Sequence, residues 1–135
     1  NLGTMAKESG EWDSALRYFK KALEIEPNLA ETNYNLGNIL QNLGKLSDAV
    51  KSYSKAIALK PDYAEAYVNM ANALHAKGNI QSAIDKYLKS LEFQPDRAET
   101  HYNIGVAYKS KGDLIAAIDS CKRAIILKPN YSCFK

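Results

Sequence analysis

Few residues in this chain could do chemistry, and their spacing argues against most of it. The two histidines, His75 and His101, have no cysteine or carboxylate around them at metal-ligand spacing. The two cysteines, Cys121 and Cys133, are too few for a disulfide framework. The glycines do not form a phosphate-cradling loop. No catalytic residue, metal site or cofactor is expected, and this segment is not expected to be an enzyme. What recurs is amide chemistry. Asn1, Asn35, Asn69 and Asn103 follow one another at intervals of 34 residues, and Asn38 and Asn72 stand three residues beyond two of them. Asparagine inside a helix costs roughly half a kcal/mol relative to alanine, so its repetition calls for a reason outside the helix. A carboxamide carries an acceptor and two donors and can pair with a peptide backbone whatever side chains that peptide bears. The candidate peptide-binding residues are therefore Asn35, Asn38, Asn69, Asn72 and Asn103. Tyr34 and Tyr102, with Val68 in the same column, stand one position earlier, either as an apolar wall for a ligand or as packing between repeats. The competing reading of the asparagines is a ladder bonded only to itself and to neighbouring repeats.

The elements that position these residues follow from the same interval. Pro27, Pro61, Pro95 and Pro129 are each 34 residues apart, as are Gly10, Gly44, Gly78 and Gly112. A second small column runs through Gly3, Gly37, Ala71 and Gly105, a third through Ala15, Ala49, Ala83 and Ala117, and a fourth through Ala22, Ala56, Ser90 and Ala124. Such a lattice marks a repeat protein. Complete repeats are read at 30–63, 64–97 and 98–131, preceded by a partial one at 1–29 that starts inside a helix and followed by the start of another at 132–135. Together they make a single array over 1–135. Within a repeat, Leu36, Ile39, Leu40 and Leu43 form one helix face, and Leu46, Ala49, Val50, Tyr53, Ile57 and Leu59 form another. Gly44 is expected to end the first helix in the left-handed conformation, and Pro61 to stop the second. Asn28, Asp62 and Asp96 stand three residues before Glu31, Glu65 and Glu99 and predict a capping box at the next helix. Asn130 is followed by Cys133 instead, which predicts fraying at the end.

This pattern resembles the tetratricopeptide repeat family. The small residues Gly37, Ala49 and Ala56, the large apolar Leu36, the aromatic Tyr53 and Pro61 match its motif over essentially the whole chain. The resemblance implies an all-α fold: an α-solenoid of antiparallel helix pairs, about four repeats wound as a right-handed superhelix, with the first helices lining the concave side. It places the asparagine column in that groove and implies a protein-interaction scaffold that binds an extended peptide. Two departures stand out: Asn33, Tyr67 and His101 occupy a column usually aromatic, and Cys121 replaces the aromatic at the place of Tyr53. Some members clamp acidic chaperone tails with lysine and arginine. Glu31, Glu65, Glu99 and Asn103 stand at those places here, so an acidic tail is not the expected ligand. The asparagine column is also similar to the repeat arm of O-linked N-acetylglucosamine transferases, which implies the alternative of a substrate-recruiting fragment of such a glycosyltransferase.

Composition bounds the partners. The chain is 46% hydrophobic and 24% charged, with a net charge of +3 spread along its length. Nucleic acid is not implied. No apolar run approaches the roughly 20 residues needed to span a bilayer, so no membrane partner is expected, and the reading is an intracellular, cytoplasmic protein with a protein or peptide partner. A basic column at Lys21, Lys55, Lys89 and Arg123 reads as solvated surface, with Asp85 and Asp119 four residues before its last two members. His75 reads as a surface residue, His101 as packing or groove rim, and Cys121 as a small buried hydrophobe. Ile118, Ile125 and Ile126 suggest end-to-end self-association, because repeat arrays usually cover such surface.

Overall fold

The computed structural model describes residues 9–130. The described residues form seven α-helices: α1 Ser9–Ile25, α2 Ala30–Asn42, α3 Leu46–Leu59, α4 Ala64–Ala76, α5 Ile80–Phe93, α6 Ala98–Lys111 and α7 Leu114–Leu127. The readings of Asn1 and Cys133, and of fraying after Asn130, lie outside the described residues. The chain divides into two compact units, Asn1–Pro61 and Asp62–Lys135. In the first, α2 packs on α1 and α3 packs on α2. In the second, α4 pairs with α5, α6 packs on α5, and α7 pairs with α6.

Both kinds of joint are built from residues of the lattice. After α6, Gly112 takes φ 94° with its N–H on the Lys109 carbonyl, and the Asp113 N–H reaches back to the Tyr108 carbonyl at 2.9 Å. This bond closes the helix in the Schellman manner. The same six-residue closure recurs as Lys45 to Leu40 and Asn79 to Leu74. A Cβ on Gly112 would meet nothing within 4 Å, so backbone conformation rather than room selects the glycine there. At the other joints Lys60, Gln94 and Lys128 leave the helical region just before a proline. The proline ring disfavours helical backbone in the residue it follows.

The expected capping boxes are not formed. Helices α2, α4 and α6 take Leu29, Tyr63 and Arg97 as N-caps, none with a side-chain cap bond. Asn28, Asp62 and Asp96 therefore stand one residue too early to cap. Among the described caps, Asp113 does bond through its side chain, accepting from the Ala116 N–H at 3.1 Å at the start of α7.

Of the expected faces, Leu36, Ile39 and Leu40 on α2 and Ala49 and Tyr53 on α3 are buried, Leu43, Leu46, Val50 and Ile57 are half-buried, and Leu59, at the end of α3, is exposed. The small columns are close approaches. A Cβ on Gly37 would lie 2.6 Å from Cε1 of Tyr53, so that ring rests on the α2 backbone. A Cβ on Gly105 would lie 3.0 Å from the Cys121 sulfur. Ser90, in a column otherwise of alanine, and Thr100 are fully buried with hydroxyl oxygens that have no hydrogen-bond partner among the described residues. Each such group costs about 1–3 kcal/mol of desolvation.

Candidate peptide-binding site

All five candidate asparagines lie on first helices: Asn35 and Asn38 on α2, Asn69 and Asn72 on α4, and Asn103 on α6. Each is half-buried. Among the described residues, the side chains of Asn35 and Asn103 have no hydrogen-bond partner.

Asn38 and Asn72 are held by a tyrosine from the second helix of their own repeat. The Tyr53 hydroxyl donates to Oδ1 of Asn38 at 2.6 Å, and the Tyr87 hydroxyl donates to Oδ1 of Asn72. Oε1 of Gln41 also stands 2.9 Å from the Tyr53 hydroxyl. A hydroxyl has one proton to give, so rotation of the Gln41 amide to present its NH₂ would satisfy both contacts. Burial holds the Tyr53 phenol well above its ordinary value, with the neighbouring Tyr34 adding to it. Burial likewise pushes Tyr87 up to about 12, reinforced by the Glu99 carboxylate. Both tyrosines are therefore neutral donors at physiological pH. Because a carboxamide oxygen has two lone pairs, the tyrosine bond fixes the orientation of Asn38 and Asn72 without exhausting their acceptor.

This pairing was not recognised in the sequence, although the sequence carries its signal. Where the second helix has Tyr53 or Tyr87 the first has Asn38 or Asn72; where it has Cys121 or Phe19 the first has Val106 or Thr4. The asparagine and the phenol come and go together.

The flanking tyrosines are half-buried, and Val68 is almost fully buried. Tyr34 sets its ring 5.9 Å from that of Tyr53, tilted by 53°. It thus supports the residue that orients Asn38.

In the column of Asn33, Tyr67 and His101, the first and last members serve the joints between repeats. Asn33 donates through Nδ2 to the Leu29 carbonyl at 2.9 Å and approaches that of Pro27 at 3.4 Å. His101 places Nε2 2.9 Å from the Pro95 carbonyl, the same six-residue reach. A carbonyl can only accept, so Nε2 carries the proton. Tyr67, with no short-range donor, stacks on Phe93 instead at 6.1 Å.

Two surface readings change. His75 is half-buried and its Nε2 lies 3.1 Å from Oγ of Ser110, bridging α4 to α6. Lys89 pairs with Glu92 at 3.4 Å and lies over the Phe93 ring, while Asp85 accepts from Gln81. The expected Asp85–Lys89 pair gives way to these nearer partners. Among the described residues no group of three or more His, Cys, Asp or Glu side chains could hold a metal ion. No helix among them is long and apolar enough to cross a membrane.

The profile described as TPR repeat matches residues 3–44, 42–78 and 71–112, and the one described as Tetratricopeptide repeat matches 98–131. The chain belongs to the tetratricopeptide repeat family. Its fold is all-α, as the resemblance implied. A crystal structure of MamA is similar to this tetratricopeptide chain with 30% identity and a TM-score of 0.87, covering 97% of it and 77% of the MamA chain. A second MamA structure has 31% identity and a TM-score of 0.85, covering 96% and 71%. MamA from Desulfovibrio magneticus, residues 41 to the end, is 21% identical with a TM-score of 0.85 over 97% of this chain and 72% of that one, a likeness of fold alone. No curated protein matches the chain.

Proposed function

We propose that this chain is a non-enzymatic protein-interaction scaffold, acting as a single array, that holds an extended segment of a partner by its backbone. The observation that carries the reading is the set of half-buried carboxamides on successive first helices, two of which, Asn35 and Asn103, have no hydrogen-bond partner among the described residues. Asn38 and Asn72 are oriented before any ligand arrives by Tyr53 and Tyr87, and such pre-organisation lowers the cost of binding. An extended chain advances about 3.3 Å per residue and packed helices stand about 8–10 Å apart. One asparagine per repeat at that spacing would meet roughly every third residue of a bound strand. Tyr34 and Tyr102 supply apolar contact beside them. The exposed Glu31, Glu65 and Glu99 favour neutral or basic segments over acidic ones.

The test is selection from a phage-displayed library of random linear peptides. Clones retained by the chain should lose roughly tenfold or more in affinity for a folded Asn35→Ala/Asn69→Ala/Asn103→Ala variant, the loss expected from several hydrogen bonds of about 1 kcal/mol each. Unchanged binding by that variant would assign the asparagines to structure. The asparagine column also supports a second reading, a substrate-recruiting arm similar to that of O-linked N-acetylglucosamine transferases. A reading frame that continues into a glycosyltransferase domain decides for it.

A further inference from the structure

Helix α7 exposes an apolar pair that the repeat pattern does not account for. Ile115 and Ile126 are each 78% exposed. Their neighbour Ile118 is 43% exposed, but its counterpart on α5, Ile84, falls to 1% where α6 packs on α5. A following helix thus covers the place of Ile118. It does not cover the places of Ile115 and Ile126: their counterparts on α5, Gln81 and Glu92, remain exposed with α6 in position. The equivalent residues elsewhere are Asp13 and Glu24 on α1 and Ser47 and Ala58 on α3, all exposed. Only α7 carries isoleucine at both places. Whatever precedes or follows, stacking of repeats leaves this pair outside.

The stripe is self-complementary. Ile115 and Ile126 are about three turns apart and so share one face, about 16 Å from end to end. Asp119 and Lys122 lie between them on that face. Both are exposed, and neither has a hydrogen-bond or ion-pair partner among the described residues. Ile115 and Ile126 are equidistant from the point between Ser120 and Cys121, and so are Asp119 and Lys122, and Ile118 and Arg123. We propose that this outer face of α7 is a twofold interface with a second copy of the chain. With the two helices antiparallel, Ile115 meets the partner's Ile126 and Asp119 meets the partner's Lys122. Each contact occurs twice, as an isologous interface requires. The opposed charges fix the register and the isoleucines exclude water. This association differs from the expected end-to-end stacking through Ile118, Ile125 and Ile126, from which Ile126 is removed because its counterpart Glu92 stays exposed beside the following helix; it leaves the first helices free for a peptide, so it stands or falls apart from the proposed function.

Sedimentation equilibrium of the whole 135-residue chain over a wide concentration range tests it. The wild type should pass from monomer to dimer. Ile115→Gln/Ile126→Glu, which installs the residues α5 carries at those places, should lose the dimer while keeping its helical circular dichroism. Asp119→Lys sets two like-charged pairs face to face and should weaken the dimer roughly tenfold. Adding Lys122→Asp should restore it. A wild type that stays monomeric, a dimer that survives Ile115→Gln/Ile126→Glu, or a charge swap that fails to restore association would each overturn the proposal.

Discussion

The repeats at 30–63 and 98–131 share a backbone plan and solve the crossing of their two helices differently. In the first, a tyrosine ring is pressed against Gly37, fully buried, and its hydroxyl is spent on Asn38. In the second, Cys121 fills a smaller space beside Gly105, and Val106, at the place of Asn38, is exposed. The repeat at 64–97 keeps Tyr87 and Asn72 but has Ala71 in place of the glycine. The difference teaches that the unit of this fold is a small set of coupled residues across the crossing. The amide on the first helix is present where a phenol on the second can use it.

The comparison breaks most visibly at the large side chain. Tyr53→Ala should cost about 3–5 kcal/mol, as removal of a large aromatic from a core does, whereas Cys121→Ala should cost about 1 kcal/mol, close to one buried methylene-sized group. Urea denaturation of the two variants measures both, and equal losses would mean that the crossings are equivalent after all. A finer probe grafts one solution onto the other. Cys121→Tyr alone brings a phenol to a crossing without its acceptor; adding Val106→Asn should recover about 1 kcal/mol of coupling, the net worth of one hydrogen bond. A double-mutant cycle that gives no coupling would detach the two columns from each other.

The smallest effect at neutral pH is the titration of the phenols. A group whose folded pKa is raised contributes stability that is whole below its unfolded value and is lost as pH rises through the folded one. For Tyr87 that window runs from 10.0 to about 12, and Tyr53 acts in the same direction. The urea midpoint should therefore hold through neutral pH and fall between about pH 10 and 12. In Tyr53→Phe/Tyr87→Phe the fall should be shallower, although the starting stability is lower by about 1 kcal/mol for each lost bond. A midpoint with the same alkaline slope in the variant would show that other groups govern it.

Much of the architecture was legible because the residues that carry it have few substitutes. Proline cannot continue a helix past its first turn, and Gly44, Gly78 and Gly112 take a positive φ that other residues adopt only with strain. The buried stripes of α2 and α3 followed from helical spacing alone. Caps were not legible: Asp62 and Asp96 had the right spacing to their glutamates, yet the turn places the first helical residue one position later than that spacing assumes. Asn33 and His101 were read as departures from an aromatic column, because the carbonyls they serve, four residues back for Asn33 and six for His101, lie in a turn whose geometry spacing does not specify. At the candidate site, the asparagines were found by recurrence alone, and the tyrosine bonds of Asn38 and Asn72 were missed because 15 residues separate the partners.

The closures after α2, α4 and α6 repeat one backbone bond at one kind of glycine, and the joints after α3 and α5 repeat one kind of proline. Among the described residues the backbone of each seam is thus interchangeable with the others of its class. Duplication or loss of one 34-residue block in the gene, at whatever point the break falls, would rejoin two ends that already match. The length of such a protein can change by whole repeats without a single new turn having to be invented.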